Sequence, residues 1–279
     1  PTGVDMSRMK IEFLHHYRGK HGVPLKDKLI GYLPHYAPLA SKFSYLFNLR
    51  DRIPGLAWLS EALLGFSQKR SLPQWHPRPF RSTEVTMSAK PNQPEVVLLA
   101  DTFNTYFEPE NLRAAIRVLE AAGYRVHVPV IEASKKPLCC GRTYLATGMI
   151  EKAKQTARDT IAALKPFVDR DVPIIGLEPS CLFTLRDEYT VLEPGADTLA
   201  LAGKAKLFEE FLAEEHTAGR LFMNLKPLKT NKALLHGHCH QKAFDAMGAV
   251  ERVLNLIPEL SVETINSSCC GMAGAFGYE

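Results

Sequence analysis

The chain has 279 residues, 46% apolar and 23% charged, and its 34 Lys and Arg against 30 Asp and Glu leave a net charge of +4. This is enough chain for one large or two modest domains with a core, and the composition excludes disordered and fibrous classes. It also argues against a bilayer span, because the longest apolar stretches, such as residues 55–66, are short and interrupted by Glu61.

The charge is unevenly distributed. Residues 1–80 hold 12 Lys and Arg against 5 Asp and Glu, net +7, and the remainder holds 22 against 25, net −3. A basic, aromatic-rich front suits an anionic membrane surface or an acidic partner domain, or is simply a solvated helical linker. No nucleic-acid partner is expected. With no secretory or transit segment legible, the expected compartment is the cytoplasm. The chain opens at Pro1 without Met and stops nine residues after its last cysteine pair, which reads as an internal piece of a longer protein.

In chain order, the spacing predicts a helix over 5–20 behind a capping Asp5, a break at Gly22-Val-Pro24, and helices near 26–33, 37–49 and 55–67. The Pro-rich run 71–94 reads as an extended linker and domain boundary. Then come a strand at 95–100, an amphipathic helix over 111–123 closed by Gly123, and a strand at 125–130. A helix over 150–168, a strand at 172–177, a helix over 180–192 and one long helix over 198–219 follow. Near the end, a strand at 232–236, a helix over 241–256 and a strand at 261–265 repeat the order of elements found after residue 95. Strands alternating with helices predict an α/β fold with a mostly parallel sheet. The expected division is 1–90 as a basic helical segment and linker, 91–229 as a first unit, and 230–279 as a second, truncated copy.

The six cysteines organise this pattern. Cys139-Cys140-Gly141 and Cys269-Cys270-Gly271 are twin motifs, and Cys181 and Cys239 stand alone. Each falls where a strand ends and a helix begins, the usual place for ligands in such sheets. Cys181 would lie in the first turn of a helix, where the N-terminal field favours a thiolate. A structural zinc ion prefers cysteines two to four residues apart, whereas adjacent thiols suit a multi-iron cluster, each sulfur reaching a different iron. Alternatively the cysteines are small buried residues. In an extended segment the two histidines of His238-Cys239-His240 point away from Cys239, which favours hydrogen bonding or packing over ligation. Glu178, three residues before Cys181, is read as solvated or ion-paired beside a cap made by Ser180, with ligation as the alternative.

The twin Cys-Cys-Gly motifs, with Gly237-His-Cys-His-Gln-Lys242, Glu178-Pro-Ser-Cys181 and Ser268-Cys-Cys-Gly-Met-Ala-Gly-Ala-Phe-Gly277, resemble the cysteine-rich CCG domain family. That family includes the cysteine-rich subunit of heterodisulfide reductase and the iron–sulfur subunits of glycolate, glycerol-3-phosphate and lactate oxidases. More closely, the chain resembles the C-terminal part of fused FAD-linked D-2-hydroxy-acid oxidases and dehydrogenases, with Pro1 following a ferredoxin-like cluster motif. The resemblance implies duplicated units, each with a lone Cys, Cys-Cys-Gly and Cys-x-x-Cys. Cys239, Cys269 and Cys270 match in the second unit, whose last pair would lie beyond Glu279. In the first unit Cys139, Cys140 and Cys181 match, but Asp101-Thr102 and Glu178 stand where thiols are expected.

The resemblance therefore implies a 4Fe-4S cluster on the second unit. The first would hold a different metal such as zinc, a cluster with an oxygen ligand, or nothing. It also implies an oxidoreductase part relaying electrons from FAD on an upstream domain, through ferredoxin-like clusters, to a quinone or soluble carrier. The donor would be a D-2-hydroxy acid of the lactate, glycolate or 2-hydroxyglutarate class, with its pocket outside this chain. The rival reading is a zinc-binding docking module without redox activity. A thiol–disulfide enzyme fits less well, since adjacent cysteines make strained disulfides.

Overall fold

The computed structural model describes residues 5–85, 93–131, 136–267, 270–272 and 274–278. Its front is helical. Asp5 caps α1 (Met6–His21) by accepting from the amides of Ser7 and Arg8. After Pro24 come α2 (Leu25–Gly31), α3 (Leu33–Lys42), α4 (Ser44–Phe47) and, beyond a 3-10 turn at Asn48–Asp51, α5 (Leu56–Leu64). The single helix expected over 37–49 is thus broken at Phe43, whose ψ of 35° leaves the helical range. The Pro-rich run is extended as expected up to Val85, apart from a 3-10 turn at Ser82–Glu84, but it is packed rather than solvated. Trp75 joins Ala37, Ala40 and Tyr106 in one cluster, and Phe80 enters the core beside the sheet.

The body is an α/β unit. In order it comprises β1 (Glu95–Leu99), α6 (Thr102–Tyr106), α7 (Pro109–Ala121), β2 (Arg125–His127), β3 (Val130–Ile131), β4 (Lys136–Pro137), α8 (Arg142–Ala146) and α9 (Ile150–Val168). It continues with β5 (Ile174–Gly176), α10 (Pro179–Phe183), α11 (Tyr189–Leu192), α12 (Ala196–Lys204), β6 (Ala205–Leu207) and α13 (Phe208–Thr217). Four strands form a parallel sheet in the order β2-β1-β5-β6, with Val97 opposite Ile174 and Ile174 opposite Ala205. Val97 and Leu99 face the cluster containing Ala157 and Leu201, while Val96 and Leu98 face the one containing Leu112, Ile116 and Phe211. Helices cover both faces, which is why this strand reads as an unbroken apolar run. Each of its four buried side chains contributes about 1.5–3 kcal/mol.

The long helix expected over 198–219 is instead α12, β6 and α13. Ala205 and Leu207 are buried on either side of a half-buried Lys206, a period-two signal only three residues long between two helical patterns.

After the body come β7 (Lys232–Leu235), α14 (Cys239–Ala243), α15 (Met247–Leu254) and β8 (Ser261–Thr264). The two strands pair in parallel, Lys232 with Ser261 through Leu235 with Thr264. This repeats the sequence β1, short helix, longer helix, parallel β2 in miniature. The helix expected over 241–256 is split at Asp245, which has φ 55°. The second unit docks through α15 on α13 and α14 on α10, and the rings of Phe183 and Phe244 stack 4.3 Å apart.

Candidate metal centre

Two loops at the C-terminal ends of parallel strands meet a third that follows the antiparallel pair β3–β4. The loop after β1 supplies Asp101, which caps α6 by accepting from the amides of Phe103 and Asn104. The loop after β5 supplies Glu178 and Cys181. Glu178 itself caps α10, accepting from the amide and hydroxyl of Ser180, so the cap expected from Ser180 belongs to the carboxylate. The third loop carries Cys139 and Cys140 ahead of α8. Gly141, at φ 78°, turns the chain so that its own amide and that of Arg142 donate to Cys139 Sγ and Cys140 Sγ, both at 3.4 Å.

The three thiols lie side by side, Cys139 hydrogen-bonded to Cys140 and Thr102, and Cys140 to Cys181. The bond with Cys140 and burial push the Cys139 thiol far up. The Cys140 thiol also lies well above its ordinary value; the bond with Cys139 favours its thiolate, but the bond with Cys181 and burial prevail. At Cys181 the bond with Cys140 likewise favours the thiolate, but burial and the carboxylates of Asp101 and Glu178 push the pKa to about 11. The thiolate expected from the helix N-terminus is therefore not favoured here; burial beside two carboxylates outweighs the field of a five-residue helix. Burial likewise raises Asp101 to about 6 against the hydrogen bonds of Asn104.

Soft sulfur donors with amides aimed at them suit iron or zinc. The space between them is a cavity of ≈ 20 Å³, enough for one water or one ion. Among the described residues no group of three or more His, Cys, Asp and Glu side chains is placed to hold a metal ion.

In the second unit, Cys239 is half-buried as the first residue of α14 and Cys270 is exposed. Cys269 lies outside the described residues, so the trio Cys239, Cys269 and Cys270 is not brought together among them. His238 caps α14 with an extended backbone, while Cys239 and His240 are already helical, so the three do not form one extended segment; the His238 Nδ1 accepts from the His240 amide at 3.2 Å. Its Nε2 stands 4.0 Å from Glu178 Oε1, and His240 Nε2 lies 3.4 Å from Arg142 Nη2. Burial, Arg142 and His238 lower His240 to about 4. Glu178 and Arg142 therefore link the first unit's loops to the helix that begins at Cys239. Arg142 also pairs with Glu188. The sequence reading missed Arg142; its one visible mark was its place directly after Cys-Cys-Gly, where the turn aims its amide at sulfur.

Residues 100–186 match the family model described as the cysteine-rich domain, CCG. Over this stretch the chain is similar to the CCG cysteine-rich domain family. The stretch contains Asp101, the Cys-Cys-Gly of the first unit and Cys181, so the likeness carried by the motifs is borne out there. Among curated proteins, a subunit of the anaerobic glycerol-3-phosphate dehydrogenase of Escherichia coli is 26% identical over 258 residues, 91% of this chain and 63% of its own length. The D-2-hydroxyglutarate dehydrogenase of Escherichia coli is 25% identical over 293 residues, all of this chain and 27% of that protein. An uncharacterized iron–sulfur protein of Methanocaldococcus jannaschii is 28% identical over 162 residues, 57% of this chain and 28% of its own length. The chain thus spans less than two thirds of each of these relatives. No solved structure matches it. Two of these relatives are, by their names, a dehydrogenase and a subunit of one.

Proposed function

We propose that this chain is the electron-relaying part of a flavin-linked dehydrogenase. Its substrate would be a D-2-hydroxy acid of the lactate, glycolate or 2-hydroxyglutarate class, oxidised on a separate FAD-bearing domain. Ferredoxin-like clusters would pass the electrons here, and a quinone or a soluble carrier would receive them, in the cytoplasm or at the inner face of its membrane. The observation that carries this reading is the convergence of Cys139, Cys140 and Cys181 at the strand ends of the CCG-like stretch, with backbone amides donating to two of the sulfurs. Cys239, Cys269 and Cys270 would hold a 4Fe-4S cluster, which supplies reversible one-electron storage when bound. Around it, α14 fixes Cys239, His238 holds the helix start, and the Phe183–Phe244 stack seats that helix against the first unit.

In the first unit zinc is kept as the alternative on Cys139, Cys140 and Cys181, which would have to lose their protons and rearrange, since as they stand they are not placed to hold an ion. Anaerobic reconstitution of the full protein with iron and sulfide, followed by EPR and metal analysis, tests both assignments. A cluster spectrum lost in Cys239→Ser, Cys269→Ser and Cys270→Ser is expected, with zinc lost in Cys140→Ser and Cys181→Ser. A cluster spectrum unchanged by the first three substitutions overturns the relay. Zinc without acid-labile sulfide in the native protein favours the docking-module alternative.

A further inference from the structure

Residues 42–70 of the basic front are built inside out. Ser41 and Ser44 are buried, the Ser41 hydroxyl donating to the carbonyl of His76 at 2.5 Å. The apolar residues around them, Tyr45, Leu46 and Phe47, face outward. In α5 the half-buried side is Leu56, Ala57, Ser60 and Leu64, and the outward side carries Trp58, Leu59, Ala62 and Leu63 with Glu61 as its one charge. Tyr45, Leu46, Phe47, Trp58, Leu59 and Leu63 are each between 42% and 73% exposed. Seven of the nine residues of α5 are apolar, yet none is fully buried. An ordinary solvated linker would turn its serines out and its leucines in, so a patch of this kind marks an interaction surface.

Charge decides the partner. Lys42, Arg52, Lys69 and Arg70 are exposed in the same segment, against Glu61; the side chains of Arg50 and Asp51 are largely buried against each other. Glu61 accepts the amide of Gln68. The segment is therefore apolar and aromatic with unbalanced exposed cationic charge, complementary to an anionic lipid headgroup layer. Nine helical residues extend about 13 Å, too little to span a bilayer but enough to lie in its interface. Among the described residues no helix is long and apolar enough to cross a membrane.

We infer that α4 and α5 form a monotopic dock for an anionic bilayer, with Trp58, Leu59 and Leu63 entering the headgroup boundary. This deepens the proposed function and rests on it only in taking a lipid-dissolved quinone as acceptor. Of the two tryptophans in these 279 residues Trp75 is buried and Trp58 lies in the patch, so the difference between wild type and Trp58→Phe isolates its signal. The full protein is mixed with vesicles of phosphatidylglycerol and phosphatidylcholine carrying brominated acyl chains, and tryptophan quenching and co-flotation are read.

Quenching is expected on the anionic vesicles, with binding weakening about fivefold for each of Arg52→Gln and Lys69→Gln and fading at high salt. The double variant L59S/L63S should lose binding at least about tenfold, and its melting temperature should be kept because both side chains already face solvent. Trp58→Phe should abolish the quenching while leaving flotation in place. No quenching of Trp58 with either lipid overturns the inference. So does a dimer by light scattering that L59S/L63S splits, which would assign the patch to a second copy. The cluster EPR spectrum, read on the same samples, separates the two ideas: a normal spectrum with no flotation defeats the dock and leaves the relay standing.

Discussion

At Glu215 three donors meet one carboxylate: Tyr124 Oη at 2.6 Å, and Arg220 Nε and Nη2 at 2.8 and 2.6 Å. The Arg220 bonds hold its pKa below the ordinary value, with help from Tyr124 and against burial. A depressed carboxylate stabilises the fold above its unfolded pKa, and that stability disappears as pH falls through the folded value. This group therefore contributes nothing to stability changes near neutrality and adds to the acid limb below the usual Glu range. Glu215→Gln keeps an acceptor for Tyr124 but removes the charge, and because Arg220 is largely exposed the cost should be only about 1 kcal/mol at pH 7. Chemical denaturation of wild type and variant across pH checks this: the two curves should converge as the acid limb is descended. A constant gap at every pH would assign the effect to packing. The same balance of burial against favourable contacts, resolved the other way, keeps the Cys181 thiol high beside Asp101 and Glu178.

Among the elements, α1 is tied to the body by a backbone contact that a side chain would block. Gly148 has φ 74°, and a Cβ there would stand 2.9 Å from the carbonyl carbon of Leu14; His15 Nδ1 lies 3.3 Å from its carbonyl oxygen. Gly148→Ala should cost about 2–4 kcal/mol through left-handed strain and overpacking, with α1 becoming the preferred site of limited proteolysis. Gly19→Ala, in the same helix with open space around it, should instead leave α1 equally protected or slightly more so. The helices, the buried β1 and the convergence of cysteines at strand ends were legible because period, caps and loop positions are local properties. The strand β6 was not, since three residues carry too little period. Nor was the state of the thiols, because the reading weighed the helix field at Cys181, while Asp101 and Glu178 come from two different loops. The front was legible only as basic and aromatic; that its serines turn in and its leucines out depends on the strap through Trp75 and His76, far along the chain.

At the scale of the molecule, the two units are unequal in how they hold together. The first has a sheet covered on both faces, with Val96, Val97, Leu98, Ile174 and Ile175 fully buried. The second has, among the described residues, two paired strands, in which Leu234 is exposed and the ion pair Lys232–Glu263 lies on the surface. A two-stranded sheet is marginal by itself, so its order comes from α15 on α13 and α14 on α10. The Phe183–Phe244 stack, with planes 7° apart, is the aromatic part of that seam. Phe183 is fully buried whereas Phe244 is partly exposed, so Phe244→Ala removes the seam without opening the first core. The expected loss is about 1–2 kcal/mol, the area term plus the aromatic pair, and it should fall on the second unit alone. Amide hydrogen exchange should then quicken in β7 and β8 while β1 and β5 keep their wild-type protection. An equal change in both sheets would show instead that the molecule opens as one cooperative body. Because Cys239 begins the helix that this stack seats, the same variant should also broaden any spectrum of a metal bound there.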